Sequence, residues 1–159
     1  MSVGVPSPDE LAIVGRLAHV ITQCCRGLDR RDERLVSDCF HVGADVPALE
    51  SGSGPSQHVV TNLHVLGIHG DVAATETYWN LRWVDADGEL VQSFGRYLDR
   101  FERRAGQWRI ANRIAVTEWP PPSPGTEPVT DDDPSYALAA EVEPEGPHTG
   151  RPRVDGVVA

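Results

Sequence analysis

The chain has 159 residues and a formal net charge of −10, and all fourteen of its basic residues are arginines. Without lysine, Schiff-base chemistry and a phosphate-binding lysine are excluded, apart from the chain's own amino terminus, and no basic stripe with interleaved aromatics points to nucleic acid. Cys24, Cys25 and Cys39 are odd in number and lack a metal-ligand spacing, so neither a disulfide framework nor a zinc site is expected.

In chain order, MSVGVPSPDE lacks a basic region leading into an apolar run, and no later apolar stretch could span a bilayer, so a cytoplasmic protein with no membrane partner is expected. Ser7, Pro8 and Glu10 form a helix start in which Ser7 caps and Glu10 completes a capping box. The helix should run from about Pro8 to Leu28, with Val14, Leu17, Ala18, Ile21, Cys25 and Leu28 recurring every three or four residues on one face. Asp29 ends it at the edge of that stripe. A second short helix is expected over Asp32 to Phe40.

After Leu49 the pattern changes to strands. The spans 57–68, 71–84, 90–104 and 107–119 are rich in β-branched and aromatic residues and are separated by HGD, DADG and AG turns. Four antiparallel strands in a meander, with two helices covering one face, make an α+β arrangement. Alternation puts His58, Val60, Asn62, His64 and Leu66 on one side of the first strand, Trp79, Leu81 and Trp83 together on the second, and Ser93, Gly95, Tyr97 and Asp99 together on the third. Gly95 suggests a sharp bend. Beyond Trp119 the composition shifts: the span 120–159 holds nine of the thirteen prolines and eight acids against Arg151 and Arg153. The expected organisation is one domain over 1–119 and a disordered acidic tail over 120–159.

The chemistry centres on Asp29 and His58. A carboxylate that holds an imidazole fixes its tautomer and favours its charged form, which makes a general acid/base at neutral pH. The plainer readings are that Asp29 caps the second helix and that His58 is a solvated strand residue. His58, His64 and His69 do not suggest a metal site, since His69 falls in a turn and no carboxylate is spaced to join them. Arg96, Arg100, Arg103 and Arg104 alternate with Asp99 and Glu102, as on a solvated outer face where opposite charges pair.

The ordered series GLDRRD, DCFH, HVVTN, GD-x-A, GRYLDRFERR-x-G-x-W-R-I-A-x-R and a closing EW resembles a SnoaL-like member of the nuclear transport factor 2-like superfamily, over most of Ile13 to Trp119. The resemblance implies a cone of helices and strongly curved sheet around an apolar pocket. It also implies a cofactor-independent lyase or isomerase of the scytalone dehydratase, polyketide cyclase or steroid isomerase kind, acting on a cyclic apolar carbonyl compound. Asp29 matches the helix-end aspartate of the dehydratase-like members and His58 their pocket histidine. Asn62, Trp83, Tyr97 and Arg113 fall at positions expected to meet substrate, and Asp99 with Arg113 forms a second acid constellation if adjacent strands present both inward. No cofactor is implied, and the family's habits imply a homodimer or homotrimer. Only 28 residues separate Asp29 from His58, fewer than the family spends on a third helix there. A noncatalytic ligand-binding or assembly module of the same fold is the alternative.

Overall fold

The computed structural model describes residues 6–47, 54–119 and 134–142. Helix α1 (Pro8–Arg30) begins with the reciprocal cap: Glu10 N–H donates to Ser7 Oγ at 3.2 Å, and Ser7 N–H donates to the Glu10 carboxylate at 2.7 Å. It ends at Arg31, whose left-handed φ of 54° turns the chain out of the helix. The Asp32 carboxylate then caps α2 (Glu33–Asp38) by accepting from Leu35 N–H at 2.9 Å. Asp32 thus takes the capping role, and Asp29 is left to act elsewhere.

Strands β1 (Ser56–His69), β2 (Val72–Val84), β3 (Leu90–Arg104) and β4 (Gln107–Trp119) form one antiparallel sheet in sequence order, the α+β meander expected. The helices cover its inner face. Leu17, Ile21 and Cys24 of α1 and Val36 of α2 pack with Phe40, Phe101 and Ile110 in the main core, each large apolar side chain contributing roughly 1.5–3 kcal/mol. The end of α2 is laced to β4 by Ile110 N–H donating to Cys39 O and His41 N–H donating to Ile110 O, both at 2.9 Å.

Register shifts at Thr61/His64, Val65/Gly67, Phe94/Gly95 and Arg100/Phe101 curl the sheet. The first shift overturns the alternation expected for β1. His58 and Val60 remain inward opposite Leu81 and Trp79, whereas His64 pairs with Glu76 and Leu66 packs on the outer face. At Gly95 the indole of Trp79 lies so close that an added Cβ would stand 2.6 Å from its ring and 2.0 Å from the Val116 carbonyl oxygen. Backbone cannot yield there, so Gly95→Ala is expected to destabilise the fold by on the order of 1–3 kcal/mol or more, read as a lower denaturant midpoint.

The span expected to be a disordered tail contains a helix, α3 (Pro134–Val142). Leu138 and Val142, one turn apart, are buried on the outer face against Ala74 and Leu98, with Leu66, Val72 and Val116 around them. An average over an acidic, proline-rich stretch hides such an i, i+4 pair. The remaining residues of that span lie outside the described ones. The described part of the stretch between Phe40 and β1 is turn and extended chain without a helix, and α3 does not replace one, because it sits on the opposite face of the sheet. The outer face pairs its charges, Arg103 with Asp71 and Arg104 with Glu102, but it is not solvated throughout as expected: Arg96 is buried, held by Glu76 at 2.9 Å and Glu118 at 2.7 Å.

Candidate functional site

Asp29 sits in the last turn of α1 and reaches across to the beginning of β1. Its carboxylate accepts from the backbone N–H of His58 at 2.9 Å and from Ser56 Oγ at 3.2 Å, and it lies 2.7 Å from His58 Nδ1. Two residues distant in sequence therefore meet because the Arg31 turn and α2 fold the chain back over the edge strand. An ionised carboxylate only accepts, so Nδ1 is assigned the proton and Nε2 the free lone pair. Nε2 has no hydrogen-bond partner among the described residues. The imidazole is 8% exposed and the carboxylate 20%, so the contact is largely shielded from water without being closed to it.

From His58 the inner wall continues through aromatic side chains. Trp79 and Tyr97 stack with centroids 5.7 Å apart, and Cys25, Val60 and Leu81 pack around them. Burial holds the Tyr97 phenol above its ordinary value of 10.0, which keeps it a neutral donor, and its hydroxyl has no partner among the described residues. Trp83 shares this inward face, opposite Ser56 and Val91, at the Asp29 end of the wall.

Asp99 and Arg113 face each other across β3 and β4, both inward. The guanidinium makes a bidentate pair, Nε to Oδ1 at 2.6 Å and the second nitrogen to Oδ2 at 2.7 Å, with the side chains 0% and 4% exposed. Its remaining nitrogen donates to Cys24 Sγ at 3.4 Å, and its plane lies 4.1 Å from the centre of the Tyr97 ring. Burial alone would disfavour the Arg113 charge, and the Asp99 carboxylate more than offsets it, holding the group above its ordinary range. This corrects the expectation that both residues meet substrate: every polar edge of the pair is spent inside the protein. They form a buried frame behind Tyr97.

The cysteines surround that frame. The neighbouring Cys39 thiol, and then Arg113, draw Cys24 down to about 7 against its own burial. Proximity to Cys24, and then burial, push Cys39 up. Burial pushes Cys25 up from 9.0 to about 12. For Cys25, Cys39 and Tyr97 folding favours the protonated form; this stability is complete below the unfolded values and is lost as pH rises toward the folded ones. Cys24 alone opposes the trend. The melting temperature is therefore expected to fall between pH 9 and 12, with a shallower slope in Cys25→Ala.

Between α1 and the β1–β2 pair lies a cavity of about 200 Å³, lined by Ala18, Ile21, Val60, Asn62, Leu63 and Thr77 among others. Asn62 lines it from the β1 bulge, where its φ of 50° is one that asparagine tolerates better than most residues. Sequence reasoning missed Ser56 and Thr77. Both were within reach of the same alternation, since Ser56 stands two positions before His58 and Thr77 two before Trp79 on the inward sides of their strands. Among the described residues no cluster of histidine, cysteine or carboxylate could hold a metal, and no helix is long and apolar enough to cross a membrane.

A curled antiparallel sheet capped by helices on its concave side, with an acid–imidazole pair at one end of an aromatic wall, defines a cone-shaped α+β protein built around an internal site. Residues 47–114 match the SnoaL-like domain family, and the fold is the one shared with nuclear transport factor 2-like proteins. No protein of curated function matches the sequence. Among solved structures it is similar to LinA, at 18% identity and a TM-score of 0.63 over 70% of this chain and 89% of that one. It is also similar to a hexachlorocyclohexane dehydrochlorinase, LinA type 2, at 15% and 0.64 over 70% and 88%. A nuclear transport factor 2-like superfamily protein from Salmonella enterica serovar Typhimurium LT2 matches at 15% and 0.63 over 76% and 99%. At these identities the likeness is one of fold.

Proposed function

We propose that the protein is a cofactor-independent lyase or isomerase that moves a proton next to the carbonyl of a cyclic, mostly apolar compound. The 2.7 Å contact between Asp29 and His58 Nδ1 carries this reading, because it aims an unprotonated Nε2 away from the carboxylate along an apolar wall. The carbon-bound proton goes to Nε2, and the C–H electron pair moves to the carbonyl oxygen as an enolate. The same proton is then returned to another carbon, or to a departing hydroxyl as water. The carboxylate offsets the charge that the imidazole gains. Tyr97, held neutral by burial, is the donor best placed in character to receive the enolate oxygen. Trp79, Tyr97 and Val60 suit a flat ring. That one structural neighbour is a hexachlorocyclohexane dehydrochlorinase supports elimination from an apolar ring as chemistry this fold can host.

The test is solvent exchange. Cyclic ketones such as 1-tetralone, incubated with the protein in D₂O, should take up deuterium at the carbon next to the carbonyl faster than in buffer. Exchange no faster than in buffer across a panel of monocyclic to tetracyclic ketones would reject the reading.

A further inference from the structure

Two side chains of the main core carry a chemistry that the proton transfer does not use. Cys24 of α1 and Cys39, the residue that caps the end of α2, are 0% and 5% exposed, belong to one core cluster, and are free thiols. They meet because α1 and α2 fold back on one another and are pressed together at Gly27. An added Cβ there would stand 2.7 Å from Val36 Cγ2 and 3.0 Å from the Val36 nitrogen, so the two helices touch backbone to backbone. Cys24 lies one turn before Gly27 and Cys39 one turn after Val36. Stepping away from that contact along both helices therefore leads to the two sulfurs.

The surroundings of the pair favour one anion. A guanidinium nitrogen of Arg113 donates to Cys24 Sγ at 3.4 Å, and the Cys39 thiol donates to the Leu35 carbonyl at 3.2 Å. The neighbouring Cys39 thiol, and then Arg113, hold Cys24 at about 7 against burial and the Asp99 carboxylate. Much of Cys24 is therefore thiolate at neutral pH, the form that attacks an oxidant. Cys25, although next in sequence, belongs to the cluster of Trp79 and Tyr97 and is pushed up to about 12 by burial, so it remains a thiol.

We infer that Cys24 and Cys39 are a redox pair, which a small hydroperoxide converts to a disulfide joining α1 to α2. The Cys24 thiolate attacks one peroxide oxygen, the O–O bond breaks, and the departing hydroxide takes up a proton as water, which leaves Cys24 as a sulfenic acid. The Cys39 sulfur then attacks the Cys24 sulfur. An S–S bond forms, the S–O bond breaks, and the second hydroxide leaves as water with the proton that Cys39 gives up. Two thiols are oxidised and one peroxide is reduced. Hydrogen peroxide, little larger than water, enters from the Cys39 side, where the pair keeps its residual exposure and where α2 is only six residues long. The link closes the span 25–38, which holds Asp29 and the left-handed turn at Arg31. Oxidation thus fixes the hairpin that carries Asp29 to His58, and it stabilises the fold by restricting the unfolded chain.

The experiment treats the folded full chain with hydrogen peroxide at neutral pH, removes the excess with catalase, and alkylates the unfolded product without reduction for mass spectrometry and tryptic mapping. Alkylatable thiols are expected to fall from three to one, with the peptide 17–26 joined to the one that carries Cys39 and Cys25 left free. Dithiothreitol should restore all three. Cys25→Ala should still form the link, Cys24→Ala and Cys39→Ala should not, and the oxidised wild type should melt at a higher temperature than the reduced. Three thiols remaining in wild type, a link from Cys39 to Cys25 or to a second chain, or a lower melting temperature on oxidation would each overturn the pair. Wild type and Cys25→Ala decide the matter even where the other two variants fail to fold. The outcome is independent of ketone exchange, so the proposed proton transfer and the redox pair stand or fall separately.

Discussion

His58→Ala is expected to slow deuterium exchange into a bound ketone by about 10²- to 10⁴-fold, the usual contribution of a positioned base, with little loss of fold. The imidazole lies against Asp29 at one end of the wall rather than in the main core, so its removal leaves that core intact. Asp29→Asn should approach the same loss by a different route. An amide can present its NH₂ to Nδ1, which moves the imidazole proton to Nε2 and leaves no lone pair where it is needed. Asp29 also carries structure, because it accepts from the backbone of His58 and from Ser56 Oγ. Asp29→Ala should therefore cost about 1–3 kcal/mol in addition, whereas Asp29→Asn keeps an oxygen for the backbone N–H. Exchange rates and denaturant midpoints measured on the three variants separate the two roles. Wild-type exchange in His58→Ala would end the mechanism.

The second large effect is on stability. Arg113→Ala or Asp99→Ala leaves a lone charge in a site where the partners are 4% and 0% exposed, and stability is expected to fall by about 3–5 kcal/mol. In a domain of this size that corresponds to roughly 10–20 °C in melting temperature. Coulomb attraction is not the whole cause. The pair was desolvated in folding, and a single truncation removes the attraction while keeping the desolvation. Replacing both, Asp99→Leu with Arg113→Met, should recover most of the loss, since neither charge then remains buried. Equal stability of either single variant with wild type would show that water reaches the pair. Because Arg113 lies against the Tyr97 ring, the double variant should also lose part of its exchange activity through a displaced Tyr97, even where its stability recovers. Asp99 and Arg113 are in this sense positioning residues.

The helix starts, the four strands and the α+β order were legible in the sequence because each rests on local signals. The Ser7–Glu10 box, the spacing of Leu17, Ile21 and Cys25, and the turns at Gly70, Gly88 and Gly106 need no distant partner to take shape. Asp29 and His58 could be singled out, and expected to pair, from their residue types and the resemblance to dehydratases. Their 2.7 Å contact depends on how the left-handed turn at Arg31 and the short α2 return the chain to the edge of the sheet.

Where local and tertiary information disagreed, bulges and burial decided. Strict alternation put His64 and Leu66 beside His58, and the irregularity after Thr61 sent them to the other face. Acidic, proline-rich composition argued for a structureless tail, yet Leu138 and Val142 found an apolar outer face to dock against. Asp99 and Arg113 had the residue types of a substrate site, and only the pairing of β3 with β4 showed that they hold each other in a bidentate pair. Sequence by itself determined the first two helices and the four strands and which side chains carry protons, since those follow from propensity, capping and chemistry within a few residues. Tertiary structure decided which of those side chains meet and which are consumed in holding the frame, because hydrogen bonding and desolvation depend on neighbours that the chain brings together only when it folds.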